Sequence, residues 1–209
     1  ACGVRDIRAH GSGNIGATNV WRTLGPKAAA WVYAGDIGKG VLAVLIARMV
    51  DQDLLPRDYF LVLAALSAVA GHVFSIYLSF KGGKGVATFF GLLFAGYWPL
   101  ALLAGVVWLA IATIFRYSSL AALAAVAITP IAAMVAGVPE HAAFTAAIAV
   151  LIFWLHRANI ARLRAGTEPR IGDKKRDEEA PAAPDAPLAA AVVAAPVVVE
   201  APPITPEPS

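Results

Sequence analysis

The sequence predicts an all-α polytopic membrane protein, a helical bundle with about six transmembrane segments. Three observations lead there. The 209 residues are 59% hydrophobic and only 15% charged, and the mean hydropathy of +0.68 lies well to the apolar side of soluble composition. The apolar residues gather into stretches near the ~20 residues that a helix needs to cross hydrocarbon. The basic residues cluster in alternate connections between those stretches, the asymmetry that orients helices in a bilayer.

In chain order, residues 1–27 form a polar loop rich in Gly, Asn, Arg and Thr, and apolar spans follow at about 28–50 and 58–80. A shorter stretch at about 86–96 would by length alone be re-entrant or tilted, but the turn-like YWP at 97–99 separates it from the next span and makes it a crossing. Spans at about 97–115, 118–137 and 141–156 complete the six. The membrane domain is expected over 1–168. The remainder, 169–209, is first charged (RIGDKKRDEE) and then Ala/Pro-rich, a composition that cannot pack a core and is expected to be disordered.

Placing the first loop in the cytoplasm puts Arg22, Lys27, Lys81, Lys84, Arg116, Arg157, Arg162 and Arg164 on that side. The opposite side holds Arg57, with Arg48 near the boundary, and the acidic Asp51, Asp53, Asp58 and Glu140. Both termini are therefore expected inside. A net charge of +3 without a basic stripe does not describe a nucleic-acid binder. The single cysteine, Cys2, excludes an internal disulfide framework and a cysteine-ligated zinc site. No His or carboxylate cluster has metal-ligand spacing, so neither metal nor cofactor is expected.

Four polar segments then fall on one face: GSGNIGATNVWR at 11–22, GHVFSIYLSFKGGKGVAT at 71–88, RYSS at 116–119 and HRANIARLRAGTE at 156–168. In FKGGKGVAT the backbone of Gly82, Gly83 and Gly85 can converge on a phosphate, with Lys81 and Lys84 as countercharge. The spacing is not that of a Walker A loop. GSGNIG fits GxGxxG only weakly, because no strand or βαβ unit frames it. Its neutral hydrogen-bonding groups, Ser12, Asn14, Thr18 and Asn19, together with the fork of Arg22, suit an anionic polar substrate. His156 and Asn159 share a helix face. Asp36 and Lys39, inside the first span, read best as a structural pair, and His72 fits a helix-packing hydrogen bond as well as a functional role.

Taken together and in this order, GSGNIGATN with Arg22 and Gly25, GHVF followed by FKGGKGVAT, and HRANIARLRAGTE resemble the bacterial membrane acyl-phosphate:glycerol-3-phosphate acyltransferase family over roughly residues 6–168. The resemblance implies a multi-pass protein of the inner membrane with its active site on the cytoplasmic face. It implies seven helices, of which this chain, starting at Ala1, would lack the first. The implied reaction moves a fatty acyl group from acyl phosphate to glycerol 3-phosphate, giving lysophosphatidic acid and phosphate. On the resemblance, Asn159, His156 and Lys84 are catalytic. Gly82, Gly83, Gly85 and Thr18, with a lysine of the pair Lys81 and Lys84, would bind the acyl phosphate, and Ser12, Arg22, Ser119, His156 and Asn159 the glycerol 3-phosphate; Asn19 would be a further substrate-binding residue. Either His156 or a substrate phosphate oxygen could be the base. The rival reading is a transporter of a phosphorylated metabolite, which would want polar groups at mid-membrane, where only Asp36, Lys39 and His72 are candidates.

Overall fold

A computed structural model describes residues 6–49 and 57–172 as an all-helical bundle with no strand among them. The expected disordered tail lies outside the described residues from 173 onward. After a 3-10 turn at Ile7–Ala9, the helices are α1 (Ala17–Leu24), α2 (Pro26–Met49), α3 (Arg57–Val73), α4 (Val86–Gly96), α5 (Trp98–Phe115), α6 (Ser118–Val135), α7 (Pro139–Leu155) and α8 (Arg157–Arg164). A second 3-10 turn, Ile76–Leu78, lies between α3 and α4.

All six expected apolar segments are helices, in the expected order. Among the described residues four stretches are long and apolar enough to cross a membrane, and a fifth joins them if α7 and α8, bent by 62°, are taken as one span. The remaining helix, α4, is apolar but only 11 residues long. The segment expected at 58–80 leaves the α-helix at Val73, because Gly82 and Gly83 return to cap its last carbonyls, as described below. As the sequence suggested, Tyr97 alone separates α4 from α5, and Pro99 sits in the first turn of α5, where its missing N–H costs nothing.

Side-chain size decides how closely the helices approach. A Cβ on Gly40 of α2 would strike the backbone of α4, and one on Gly91 of α4 would strike the backbone of α2, so the two axes come together through paired glycines. Val44, Val69, Phe89, Leu92, Leu93, Ala104, Val126, Ile148 and Ile152 form the buried core. Trp31, Met49, Ile114, Val135 and Val150 point outward and are largely exposed, as expected of a surface facing lipid tails. Pro130 inside α6 removes a donor to the carbonyl of Val126, and the hydroxyl of Thr129 takes its place at 3.0 Å.

Residues 169–172, expected to belong to the tail, lie against the bundle. Arg22 donates to the carbonyl of Pro169 at 3.3 Å, and the N–H of Ile171 donates to the carbonyl of Arg116 at 2.6 Å. The packed body thus runs a few residues past the expected boundary at 168.

Candidate active site

The four polar segments meet at one end of the bundle around a cavity of about 300 Å³. Ser12, Thr18, Asn19, Arg22, Lys84, Gly85, Ser119, His156 and Asn159 all line it; of the predicted site residues, Lys81, Gly82 and Gly83 do not. Its remaining surface is partly apolar, with Ile37, Val86, Phe90, Trp108 and Ala122.

The first wall is the loop before α1, built on Asn19. This side chain is 2% exposed. Its Nδ2 donates to the carbonyls of Ile7 (3.2 Å), His10 (3.0 Å) and Asn14 (2.8 Å), and its Oδ1 accepts from the N–H of Ser12 at 2.8 Å. With both ends of the amide committed to the loop backbone, Asn19 shapes the loop and has little left for a substrate, which corrects its expected role as a ligand. Thr18 meets Tyr33 at 3.5 Å and accepts from Ser118 at 3.3 Å.

The glycine loop is likewise rearranged from the expected cradle. The N–H of Gly82 donates to the carbonyl of Val73 at 2.9 Å, and that of Gly83 to the carbonyl of His72 at 3.3 Å. These two amides satisfy the end of α3 and are not free to hold an anion. Both glycines are required by close approach, since a Cβ would run into the carbonyl of His72 at Gly82 and the imidazole of His72 at Gly83. Lys81 is exposed outside the cavity. One step along the chain, Lys84 and the start of α4 do reach the cavity. Gly85, at φ +77, caps that helix without any side-chain hydrogen bond, and Gly85, Val86 and Ala87 line the cavity.

The third wall comes from α6 and the α7–α8 elbow. His156 occupies the elbow and is 4% exposed. Its Nδ1 lies 2.8 Å from the carbonyl of Ile152, which can only accept, so Nδ1 carries the ring proton and Nε2 presents a lone pair. Asn159, in the first turn of α8, accepts from Lys84 through Oδ1. The pKa of Lys84 is lowered to about 8, chiefly by burial, against the opposing pull of Glu168.

Glu168 organises this wall, and the sequence reading gave it no role. It is 5% exposed, and its Oε1 accepts from Ser119 at 2.6 Å and from Asn159 Nδ2 at 2.7 Å, while Oε2 accepts from Arg162 at 2.7 Å. The signal was present in the GTE that closes the third motif, a lone carboxylate within a basic run. Ser119, expected as a ligand, spends its proton on this carboxylate, so its oxygen can offer only lone pairs to a substrate. Asp36 and His72 also line the cavity, with Lys39 donating to Asp36 at 2.6 Å. Among the described residues no three His, Cys, Asp or Glu side chains gather as metal ligands.

Fold and site together define a polytopic helical membrane protein with a buried, cation-bearing cavity at one end of its bundle and an apolar lining beside the charges. A family model described as Glycerol-3-phosphate acyltransferase matches residues 1–166. The chain belongs to this family, and with it to the acyltransferases of phospholipid synthesis. It is 52% identical over 184 residues to a glycerol-3-phosphate acyltransferase of Caulobacter vibrioides (strain NA1000 / CB15N), covering 88% of this chain and 83% of that one. It is 51% identical over 171 residues to one from Jannaschia sp. (strain CCS1), covering 81% of each. Among solved structures it is similar to PlsY (YgiH), an integral membrane glycerol 3-phosphate acyltransferase. The glycerol 3-phosphate form matches with a TM-score of 0.75 and 39% identity over 83% of this chain and 85% of that one. The lysophosphatidic acid form matches with a TM-score of 0.71 and 38% identity over 79% and 83%.

Proposed function

We propose that this chain transfers a fatty acyl group from acyl phosphate to glycerol 3-phosphate, releasing lysophosphatidic acid and inorganic phosphate. One observation carries the reading: a single cavity joins Lys84 and the uncapped start of α4, Arg22 on a separate element, and an apolar lining that includes Phe90 and Trp108. Such a cavity suits two phosphate-bearing substrates, one of them with a hydrocarbon chain. The related structures in glycerol 3-phosphate and lysophosphatidic acid forms support the same pairing of acceptor and product.

In this reading the phosphate of the acyl donor sits against Lys84, Gly85 and the first turn of α4, with Thr18 beside it, and glycerol 3-phosphate lies towards Ser12, Arg22 and Ser119. The glycerol hydroxyl oxygen attacks the acyl carbonyl carbon. The carbon–oxygen bond to phosphate breaks, and the phosphate leaves with the bonding pair. His156, as an acceptor through Nε2, orients the attacking hydroxyl. The hydroxyl proton passes to an oxygen of the departing phosphate, which gains basicity as the bond breaks. Lys84 gives one N–H to Asn159 and has two more for the charge that develops on the substrate. Acyl phosphate is already activated, so positioning and fixed charge suffice without a covalent enzyme intermediate.

The basic residues at the cavity end, Lys81, Lys84, Arg116, Arg157 and Arg162 among them, support a cytoplasmic position for this site in a bacterial inner membrane. The test is to incubate purified protein with acyl phosphate and glycerol 3-phosphate and to measure both products. Phosphate and lysophosphatidic acid in equal amounts are expected. No acyl transfer, combined with uptake of glycerol 3-phosphate into liposomes holding the protein, would replace the enzyme reading with a transporter.

A further inference from the structure

We infer that His72 is a further substrate-binding residue, an imidazole whose Nε2–H donates to the phosphoryl group held at the start of α4. The inference rests on the reading above, because it needs a phosphate at Lys84 and Gly85.

The ring is oriented by two charged groups inside the bundle. Lys39 Nζ lies 2.5 Å from His72 Nδ1 and 2.6 Å from Asp36 Oδ1, while Asp36 stands further from the same ring nitrogen, at 3.4 Å. An ammonium can only donate, so Nδ1 accepts and the ring proton resides on Nε2. Asp36 and Lys39 compensate each other's charge within the span, which is how such a costly pair is tolerated there. Their combined effect is to fix the tautomer of a third residue.

The Nε2 edge lies against the glycine loop. A Cβ built on Gly83 would meet Nε2 before any other atom, one residue before Lys84. The side chain of His72 is 5% exposed and lines the cavity, and Nε2 has no hydrogen-bond partner among the described residues. That N–H borders Lys84 and the start of α4, which also offer only donors. The His72 Nε2–H and the two N–H groups that Lys84 keeps beyond its bond to Asn159 call for a group rich in acceptor oxygens, and a phosphoryl group is one.

The test has two arms. In kinetics, His72→Phe keeps the ring volume and removes the donor, and His72→Gln restores an N–H at similar reach. We expect His72→Phe to raise KM for acyl phosphate by about tenfold or more while KM for glycerol 3-phosphate stays put, and His72→Gln to recover most of the loss. Equal changes for both substrates, a rise confined to glycerol 3-phosphate, or no recovery with Gln would overturn the assignment. In the second arm, wild-type protein labelled with ¹⁵N-histidine is titrated with inorganic phosphate in detergent. The expected result is a proton on Nε2 and a phosphate-dependent shift of that nitrogen. A proton on Nδ1, or no response to phosphate, would overturn it. If the wild-type protein releases no phosphate from acyl phosphate, the functional reading fails by itself, and the titration still decides whether His72 meets phosphate.

Discussion

Asn159 accepts from Lys84 through Oδ1 and donates through Nδ2 to Glu168 at 2.7 Å, so one amide joins the buried ammonium to the buried carboxylate. Only this orientation satisfies both neighbours, because the lysine offers protons and the carboxylate offers none. The amide is thereby locked, and it holds the lysine at the mouth of α4.

We expect Asn159→Ala to lower kcat for phosphate release by about 10²-fold or more, the range seen when a fixed polar group beside developing charge is removed. Asn159→Asp should do worse, since it sets a second carboxylate against Glu168. Turnover assays on detergent-purified variants check this, with retained gel-filtration behaviour as the folding control; wild-type turnover in Asn159→Ala would remove the residue from the mechanism.

Lys84 predicts opposite responses of activity and stability to alkali. Its pKa is about 8 in the fold and 10.5 in the unfolded chain. Above pH 8 the folded protein loses the ammonium that meets the substrate, so KM for acyl phosphate should climb. Between pH 8 and 10.5 the unfolded chain binds the extra proton, so stability should rise with pH, by up to about 3 kcal/mol from this group. Steady-state kinetics and thermal unfolding over the same pH series test the pair. Lys84→Met should flatten this contribution to the stability curve.

Gly82→Ala should act on folding. The new Cβ would press on the carbonyls of His72 and Val73, which are backbone and cannot swing aside. A loss of about 3 kcal/mol or more is expected, visible as a lowered unfolding temperature in detergent. Unchanged stability with weakened substrate binding would instead restore the idea of a phosphate cradle at Gly82.

Glu168→Gln should loosen a whole wall. It removes the ion pair with Arg162 and leaves a neutral amide where Ser119 and Asn159 both donate. The expected cost is about 3 kcal/mol together with a fall in kcat, because the group broken is buried. Chemical denaturation and turnover on the same preparation measure both.

The helices α2, α5 and α6 were legible in the sequence because length and apolarity alone define a span. The end of α3 was not, because it depends on Gly82 and Gly83 folding back to Val73 and His72, a contact that no local pattern encodes. The lining role of Ser12, Thr18, Arg22, Lys84, Ser119, His156 and Asn159 was legible as polar residues gathered on one side of an apolar chain. Asn19 was taken for a ligand because a polar side chain in a glycine-rich loop looks the same whether it faces substrate or its own backbone. Glu168 was passed over because its partners, Ser119, Asn159 and Arg162, come together only when the chain reverses after α8. His72 was left between structural and functional readings, and Lys39 was read only as the partner of Asp36, for a similar reason: the meeting of Lys39 and His72 requires α2 and α3 to be set side by side.

The shortness of α4 bears on how two unlike substrates would share one site. At 11 residues against the 18 of α5, and joined to it by Tyr97 alone, α4 is about 10 Å shorter than its neighbour. In the proposed reaction the hydrocarbon tail of the donor would then meet Lys84 and Gly85 along the apolar lining of Phe90 and Trp108, and glycerol 3-phosphate would arrive past the polar segments on the other walls.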